Sequence, residues 1–334
     1  MPYFGKLPKN MKLWLNSCKT NPTIDWLLYT DDKTVYDYPE NVKVTYCSFD
    51  EIKNRIQKNF DFKILIDRPW KLCDFRVAYG EVFEEDIKEY DFWGYCDIDV
   101  LWGNIRKFIT EDILNKYDKI GFQGHSTMYR NNKEVNSRYK NKISKYPSYE
   151  IIFTTPQGYC FDENIICDIY KEMNIPYYSE TNFAHLRKWE YNFVLAHVPI
   201  EEEYKNQNQI FLWDSGNLYR LYLADGKVCK EEFMYIHFFC RPMTFVAKKF
   251  EPNVRYLIYP DKVIDYCNDY EIDYKFIKKK SKKRRIKFFV KAIYFNRKKI
   301  TLRKVIFNIK NMIKHKLRMR KRKMIMNLGD RNEL

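Results

Sequence analysis

Two aspartates one residue apart, Asp97 and Asp99, interrupt the apolar stretch "DFWGYCDIDVLWGNI" (91–105). If the strand persists this far, residues i and i+2 point the same way, so both carboxylates face one side. Two such carboxylates repel, and one takes up a proton unless a cation lies between them. Oxygen ligands of this kind suit Mg²⁺ or Mn²⁺. The pair therefore predicts a divalent-cation site, and a strand end with two solvated aspartates is the alternative.

A histidine in a very apolar run is the next candidate. His237 lies within "FMYIHFF" (233–239), and Arg241 and Pro242 follow it closely. A lone histidine in such a strand is usually a satisfied core residue, but a neutral imidazole also suits Mn²⁺. An arginine can bind phosphate oxygens through two parallel hydrogen bonds. We therefore keep His237 as a candidate ligand and Arg241 as a candidate phosphate contact.

The elements around these residues predict an open α/β sheet. Ser48 and Glu51 have capping-box spacing, and Pro69 lies in the first turn of a helical pattern over 67–90. Long apolar strands separated by helices are typical of central parallel or mixed strands covered on both faces. Such sheets bind ligands beyond the carboxyl ends of their strands. The strand-like runs are 23–32, 42–49, 92–99, 119–124, 150–155 and 232–239.

Charge is distributed very unevenly along the chain. The net charge of +16 combines residues 1–274, with 36 basic and 42 acidic side chains, and residues 275–334, with 24 basic and 2 acidic. An acidic body with a basic tail indicates a nucleic-acid or anionic-membrane contact made by the tail alone. Apolar residues recur on one helical face of the tail at 286, 289, 290 and 293, and again from 302 to 317. A basic amphipathic helix of this kind fits an interfacial membrane anchor, and a solvated basic tail is the alternative.

Several classes of protein are excluded. The nine cysteines include no CxxC pair, so we expect reduced thiols in a cytoplasmic protein and no zinc site. No apolar stretch approaches the roughly 20 residues that a spanning helix needs. No internal repeat, P-loop pattern or GxGxxG occurs. The 18% aromatic and 45% apolar content supports a sizeable core.

The run "KLCDFRVAYGEVFEEDIKEYDFWGYCDIDVLWGNIRKFI" resembles bacterial glycosyltransferases of the GT-A fold. The resemblance is to a group from capsular and lipopolysaccharide biosynthesis that often carries no assigned function. "PYFGKLP", "LNSCKTNPTIDWLLYTDD", "KIGFQGHSTMYRN", "FDE" and "YIHFFCRPM" match this group in order, over about residues 2–250. It implies a GT-A (Rossmann-like) open mixed sheet with helices on both faces, followed by a basic α-helical C-terminal tail. It also implies Mn²⁺ or Mg²⁺ and transfer of a hexosyl group from a nucleotide-sugar, with UDP as the expected nucleotide.

The same resemblance implies roles for particular residues. Asp97 lies nearer the ribose of the donor, Asp99 is a direct metal ligand, and His237 is a third ligand. Donor-binding positions implied by the matched loops and by the helix before the DxD strand are Tyr3, Phe4, Gly5, Thr30, Asp31, Asp32, Lys71, Asp74, Asp97 and Arg241. The sugar and acceptor end is implied to contain Gly124, His125, Arg130, Asn131, Asp162 and Glu163.

Some of these roles have simple structural alternatives. Lys71 and Asp74 share a helical face and could form an ordinary i,i+3 ion pair instead of binding phosphate and a hydroxyl. Asp162 or Glu163 would orient the donor sugar or act as base for the acceptor hydroxyl. The late histidine motif resembles retaining families more than inverting ones. Relatives also have a short apolar strand before "PYFG", so we expect the first strand here to be truncated.

The sequence thus predicts three segments: a GT-A domain at 1–250, a linker at 251–274 and a basic helical tail at 275–334. Residues 275–323 would bind an anionic membrane surface, on the inner face of the plasma membrane, where lipid-linked glycan acceptors are found. We expect no specific nucleic-acid partner. The rivals are a nucleic-acid-binding protein or nuclease that uses the tail, and a non-catalytic glycan-binding homologue.

Overall fold

Strands and helices are interspersed over residues 2–172, as the periodicity predicts, but the described residues from Phe183 to Asp265 form strands without a helix between them. The computed structural model describes residues 1–186, 192–196, 208–239, 243–267 and 272–296. The α-helices are α1 (Met11–Lys19), α2 (Phe49–Gln57), α3 (Leu72–Phe75), α4 (Tyr79–Val82), α5 (Glu84–Ile87), α6 (Glu111–Lys116), α7 (Lys133–Ser137), α8 (Tyr149–Thr154), α9 (Ile166–Glu172) and α10 (Tyr274–Asn296). Single 3₁₀ turns occupy Pro69–Lys71, Arg76–Ala78, Ile105–Lys107 and Arg138–Lys140, and a π-turn occupies Phe161–Ile165.

The strands of the first half are β1 (Pro2–Tyr3), β2 (Trp26–Thr30), β3 (Val42–Tyr46), β4 (Phe92–Cys96), β5 (Val100–Trp102), β6 (Lys119–Gln123) and β7 (Ser126–Arg130). Those of the second half are β8 (Phe183–His185), β9 (Val194–Leu195), β10 (Gln209–Asp214), β11 (Asn217–Ala224), β12 (Lys227–Phe233), β13 (Tyr235–His237), β14 (Thr244–Phe245), β15 (Arg255–Tyr259) and β16 (Lys262–Asp265).

These strands form four sheets among the described residues. β1-β2-β3 is parallel throughout, and β4-β7-β6 is antiparallel. The order β5-β13-β8-β9 mixes both directions, because β13 pairs antiparallel with β5 and parallel with β8. A six-stranded sheet has the order β12-β11-β10-β15-β16-β14. The protein is therefore a mixed α/β structure with open sheets.

Two hydrophobic clusters cover the sheet that carries the DxD segment. One packs α2 to α5 and α9 against the aromatic side chains of β4 and β7, including Trp93 and Tyr129. The other joins α1, β2 and β5, with Trp14, Trp26 and Trp102 at its centre. The capping box of α2 is present, since the Ser48 and Glu51 side chains each bond the other residue's amide. β4 is consequently held from both sides, and its carboxyl end is fixed.

Three expectations about the elements are wrong. The run 150–155 is helical, as α8, because Ser148 takes the extended N-cap conformation and a short apolar run does not distinguish strand from helix. The pattern over 67–90 is a series of short helices broken by 3₁₀ turns. The predicted linker at 251–274 contains β15 and β16, which pair within the six-stranded sheet.

The basic segment begins inside α10. Residues Met1–Ser281 form one compact unit. Residues 302–317, where a second apolar face is predicted, lie outside the described residues. Within the described part, Ile286 is exposed, and no described helix is long and apolar enough to cross a bilayer.

Candidate metal centre

The two aspartates come together through a bend and not through strand alternation. β4 ends at Cys96, Asp97 to Asp99 form an irregular bend, and β5 begins at Val100. Asn10 at the start of α1 donates its side-chain amide to the Ile98 carbonyl at 2.8 Å, and Ile98 is buried. An anchored apolar residue between two carboxylates keeps the bend in place while both acids turn to the same side.

Backbone pairing brings His237 to this bend. His237 is opposite Val100 in the β5–β13 pair, and the Phe238 amide donates to the Asp99 carbonyl at 2.8 Å. The Nε2 atom of His237 lies 3.6 Å from Asp97 Oδ2 and 3.4 Å from Asp99 Oδ1. The predicted candidate ligands Asp97, Asp99 and His237 therefore converge on one point.

The spacing of these three groups fits a divalent cation. Two cis ligands, each about 2.1–2.2 Å from an octahedral ion, lie about 3 Å apart, slightly closer than the distances here. The other ring nitrogen of His237, Nδ1, is buried and has no hydrogen-bond partner among the described residues. A ligand set of two carboxylates and one imidazole suits Mn²⁺ better than Mg²⁺, because Mg²⁺ prefers oxygen ligands to an imidazole nitrogen.

A second group of possible ligands shares His237. Nitrogen atoms of His125, His185 and His237 lie within 4.8 Å of one another, as do the donor atoms of the aspartate group. The His125 and His237 rings are stacked, with centroids 4.1 Å apart. Burial is the main cause that holds the pKa of His125 well below its ordinary value, and the neighbouring His237, His185 and Arg76 lower it further, so this imidazole is neutral. His237 thus lies between an oxygen-rich side and a nitrogen-rich side.

Arg76 links the candidate metal ligands to the predicted catalytic carboxylates. It donates to Asp97 Oδ1 at 2.6 Å, to Asp162 Oδ2 at 3.0 Å and to the Gly124 carbonyl at 2.7 Å. The guanidinium also lies over the Tyr95 ring. We did not predict Arg76, although it follows Lys71 and Asp74 in "KLCDFR". An arginine two residues after a singled-out aspartate, on the helix before the DxD strand, was the available signal.

Asp162 is buried in this network. It lies in the π-turn Phe161–Ile165, which follows Cys160 in the left-handed region at a φ of 53°. Burial is the largest of the causes that raise the pKa of Asp162, Glu163 also raises it and Arg76 lowers it, and the net pKa is about 7. Glu163 accepts a long bond from the Gly124 amide at 3.3 Å. Asp162 is thus a carboxyl group that changes charge near neutral pH, and its Oδ2 lies 3.0 Å from the Arg76 guanidinium.

The predicted nucleoside loops meet where the sequence suggested. Tyr3 pairs with Thr30 at the carboxyl ends of β1 and β2. The Gly5 amide donates to Asp31 Oδ1 at 2.8 Å, and Asp32 accepts from the Leu7 amide and from Thr34. Gly5 has a φ of 85°, which favours glycine. Phe4 packs on Phe49, Asp31 is exposed, and Thr30 is buried.

Lys71 and Asp74 do not face this site, and we correct their predicted roles. Lys71 Nζ is fully buried and donates to Asp74, the Ile152 carbonyl and the Gln157 carbonyl, which uses all three of its hydrogens. Asp74 accepts from the Tyr159 and Phe161 amides. The ion pair fixes the chain that leads into the π-turn, so its role is structural. Neither side chain is placed to bind the nucleotide-sugar.

Breaking this pair should destabilise the protein strongly. We expect Lys71→Met to lower the free energy of unfolding by about 3–5 kcal/mol, because it leaves Asp74 charged and buried without a cation. Urea unfolding followed by circular dichroism measures the change. Lys88→Met is the matched control, since Glu85 and Lys88 have the same i,i+3 spacing but are both largely exposed, and it should cost less than about 1 kcal/mol. Equal losses in the two variants would contradict the assignment.

Arg130 and Asn131 are also misplaced by the prediction. β7 runs antiparallel to β4, so Ser126 lies opposite Cys96, beside the DxD bend, while Arg130 lies opposite Phe92 at the far end. Arg130 binds Asp118, and the Asn131 amide donates to the Ile87 and Tyr90 carbonyls. Of the residues predicted at the sugar and acceptor end, Gly124, His125, Asp162 and Glu163 lie at the site. Arg241 lies outside the described residues.

Comparison with protein families assigns most of the chain. Residues 1–267 match the model of a family of unknown function, DUF6625. The chain belongs to this family. No curated protein and no solved structure matches it. The DUF6625 match contains both groups of possible metal ligands, Arg76 and Asp162, and it ends before the basic helix α10.

Proposed function

We propose that this DUF6625 protein is a metal-dependent glycosyltransferase of the GT-A type. It would move a sugar from a nucleotide-sugar, with UDP as the expected nucleotide, to a glycan or lipid-linked glycan acceptor in surface polysaccharide biosynthesis. One observation carries the proposal: Asp97, Asp99 and His237 converge at the carboxyl end of β4, with His237 Nε2 within 3.6 Å of both acids. A cation held there would neutralise charge on the diphosphate leaving group.

The chain's own residues supply the remaining contacts of the donor. The loops after β1 and β2, with Gly5, Asp31 and Asp32, would offer hydrogen-bonding groups to a base and ribose. Arg76 points between Asp97 and Asp162. A phosphate oxygen that displaces Asp97 from this guanidinium would gain a charge-assisted hydrogen bond, while Asp97 turns to the cation.

Asp162 is the candidate base for the acceptor hydroxyl. A base works best when its pKa is close to the working pH, and the pKa of Asp162 is raised to about 7. Such a base suits inversion at the anomeric carbon, whereas the histidine motif resembles retaining families. The sequence resemblance weakly favours retention over inversion, and NMR of the product's anomeric proton distinguishes the two outcomes.

The direct test is a thermal-shift screen of nucleotide-sugars with and without Mn²⁺. We expect a UDP-sugar to raise the melting temperature by about 3 °C or more when Mn²⁺ is present, because ligand binding to the native state stabilises it by mass action. The same ligand in excess EDTA should give little or no shift. A shift that is equal in Mn²⁺ and in EDTA, or none with any nucleotide-sugar, would contradict the proposal.

The described residues argue against one rival function, and an experiment separates the other. A two-metal nuclease needs further carboxylates, and the only described groups of three possible ligands are the two that share His237. A non-catalytic glycan-binding homologue would bind but not hydrolyse the donor, so release of UDP in the absence of acceptor separates it from an enzyme.

We also propose that the basic segment holds the enzyme on the inner face of the plasma membrane. Residues 275–323 contain no acidic side chain, and each lysine or arginine near an anionic leaflet contributes about 1 kcal/mol. The full chain should float with vesicles containing phosphatidylglycerol and not with pure phosphatidylcholine vesicles. Equal flotation with both, or binding to DNA in preference to anionic vesicles, would contradict a membrane role.

A further inference from the structure

Three histidines from distant parts of the chain, His125, His185 and His237, come together beside the DxD bend. His185 and His237 are opposite each other in the neighbouring parallel strands β8 and β13. Opposed residues of neighbouring strands point to the same face of a sheet, so these two imidazoles share a face. His125 reaches them from the turn between β6 and β7, and its ring stacks on that of His237. Nitrogen atoms of all three residues lie within 4.8 Å of one another.

Aromatic packing holds the His125 ring in place. Phe183 and Tyr235 are two residues before His185 and His237 on the same face, and their rings are stacked with centroids 5.0 Å apart. The His125 ring meets both of them edge-on. Its Nδ1 lies 3.1 Å from the Tyr235 hydroxyl. A metal-binding histidine usually donates its other ring N–H to such a partner, and donation from Nδ1 leaves Nε2 of His125 able to ligate.

The two nitrogens of His237 have different surroundings. His125 and His237 are each 5% exposed, and the buried Nδ1 of His237 has no hydrogen-bond partner among the described residues. A buried polar atom without a partner is costly, and a cation bound at Nδ1 would remove that cost. The Nε2–H would then face the carboxylates of Asp97 and Asp99, at 3.6 and 3.4 Å. A zinc-bound imidazole whose other nitrogen donates to a carboxylate is a common arrangement in proteins.

The ligand set of this cluster suits Zn²⁺. Three imidazoles with a fourth position left open form a tetrahedral zinc site, and nitrogen ligands favour Zn²⁺ over Mn²⁺. Zn–N bonds of about 2.0–2.1 Å place the nitrogens about 3.4 Å apart, so the rings must close by at most about 1.4 Å. His185 is partly exposed, so its side chain has room to make this movement. The prediction of no zinc site rested on cysteine spacing, which does not bear on a site built from histidines.

We propose that His125, His185 and His237 form a zinc site that competes with the aspartate site for His237. In a neutral imidazole one nitrogen carries the hydrogen and only the other can ligate. With Zn²⁺ on Nδ1, the Nε2–H of His237 points to Asp97 and Asp99 and removes the third ligand of the Mn²⁺ site. Zn²⁺ is therefore an inhibitor of the enzyme. Zinc binding stands by itself, whereas the inhibition rests on the proposed Mn²⁺-dependent function.

The first experiment measures Zn²⁺ binding to the full chain by competition with a chromophoric chelator. We expect His185→Gln to weaken the binding at least about tenfold, because loss of a group that only orients a ligand already costs that much. Asp99→Asn is the control, and it should weaken the binding by at most about threefold, since its amide oxygen still accepts from Nε2–H. An equal or greater loss in Asp99→Asn than in His185→Gln, or no Zn²⁺ binding to the unaltered protein, would overturn the proposal.

Co²⁺ in place of Zn²⁺ reports the geometry of the site. Tetrahedral Co²⁺ absorbs visible light much more strongly than octahedral Co²⁺, so the two coordination geometries are distinguishable. We expect the strong absorption in the unaltered protein and its loss in His185→Gln. Strong absorption that persists in His185→Gln would place the ion elsewhere and would count against the histidine site.

The last experiment asks whether the two cations exclude each other. Electron paramagnetic resonance of Mn²⁺ with UDP present should show that one equivalent of Zn²⁺ releases the bound Mn²⁺ from the unaltered protein. The His185→Gln variant should keep its Mn²⁺. Zn²⁺ binding without release of Mn²⁺, or equal release from both proteins, would overturn the shared role of His237. If no Mn²⁺ binds, the proposed function fails, while the chelator measurement still decides the zinc site.

Discussion

The Asp99→Asn variant is expected to lose at least about a hundredfold in Mn²⁺-dependent turnover of its nucleotide-sugar while keeping its melting temperature within a few degrees. The substitution preserves size but removes the charge that a hard cation needs. Asp99 Oδ1 is the carboxylate oxygen nearest to His237 Nε2, at 3.4 Å. UDP released per minute, measured over a range of Mn²⁺ concentrations, reports the loss.

The matched control is Asp91→Asn. Asp91 is exposed and lies just before β4, at the opposite end of the strand from the DxD bend. This variant should retain turnover within about twofold, because a solvated surface charge far from the site contributes little. Full activity of Asp99→Asn, or an equal loss in both variants, would contradict a cation held by Asp99.

The Asp162→Asn variant should lose activity and gain stability. The folded-state pKa of Asp162 is about 7, above its ordinary value of 3.8, so the folded protein favours the neutral acid. Native stability therefore falls as pH rises from about 4 to about 7, since the unfolded chain ionises first, and it is constant above pH 7. A neutral asparagine removes this cost. We expect its gain in unfolding free energy to grow over that window and to reach about 2–4 kcal/mol at pH 8.

The Asp168→Asn variant should change stability in the opposite direction. Hydrogen bonds from Lys145 and Lys171 lower the pKa of Asp168 to about 2. Its ionised form stabilises the fold above about pH 4, so the asparagine variant should lose about 1 kcal/mol at pH 8 after allowance for solvent screening. Urea titrations of both variants from pH 4 to 8 give the comparison. Two results would contradict the role of Asp162: an Asp162→Asn variant less stable than the unaltered protein at pH 8, or turnover of a UDP-sugar that is unchanged in that variant.

Much of the site was predictable because it lies where periodicity is informative. β4, β6 and β13 lie within apolar runs that were predicted as strands, although the run 232–239 is divided between the end of β12 and β13. The DxD acids follow β4, and His237 is the last residue of β13. The capping box of α2 was predicted from the spacing of Ser48 and Glu51, and the structure confirms it. Spacing alone could not tell that the strand ends at Cys96, so the convergence of Asp97 and Asp99 was predicted from the wrong local geometry.

The errors arise where tertiary contacts decide a residue's environment. Lys71 is a charged residue that sequence places on a surface, yet it is buried by α8 and the chain before the π-turn. Arg130 lies in the same matched segment as His125, but an antiparallel strand carries it to the other end of the sheet. Arg76 gains importance only from its contacts with Asp97, Asp162 and Gly124, which no local pattern reveals.

Mn²⁺ titration of the protein in the presence of UDP, followed by electron paramagnetic resonance of the free ion, tests the central claim most directly. We predict one bound Mn²⁺ per chain, with affinity weakened at least about tenfold by Asp99→Asn and by His237→Gln. The His185→Gln variant should bind within about twofold of the unaltered protein, because His185 belongs only to the nitrogen-rich group. Mn²⁺ binding that depends on His185 and not on Asp99, or no Mn²⁺ binding at all, would contradict a cation shared by Asp97, Asp99 and His237.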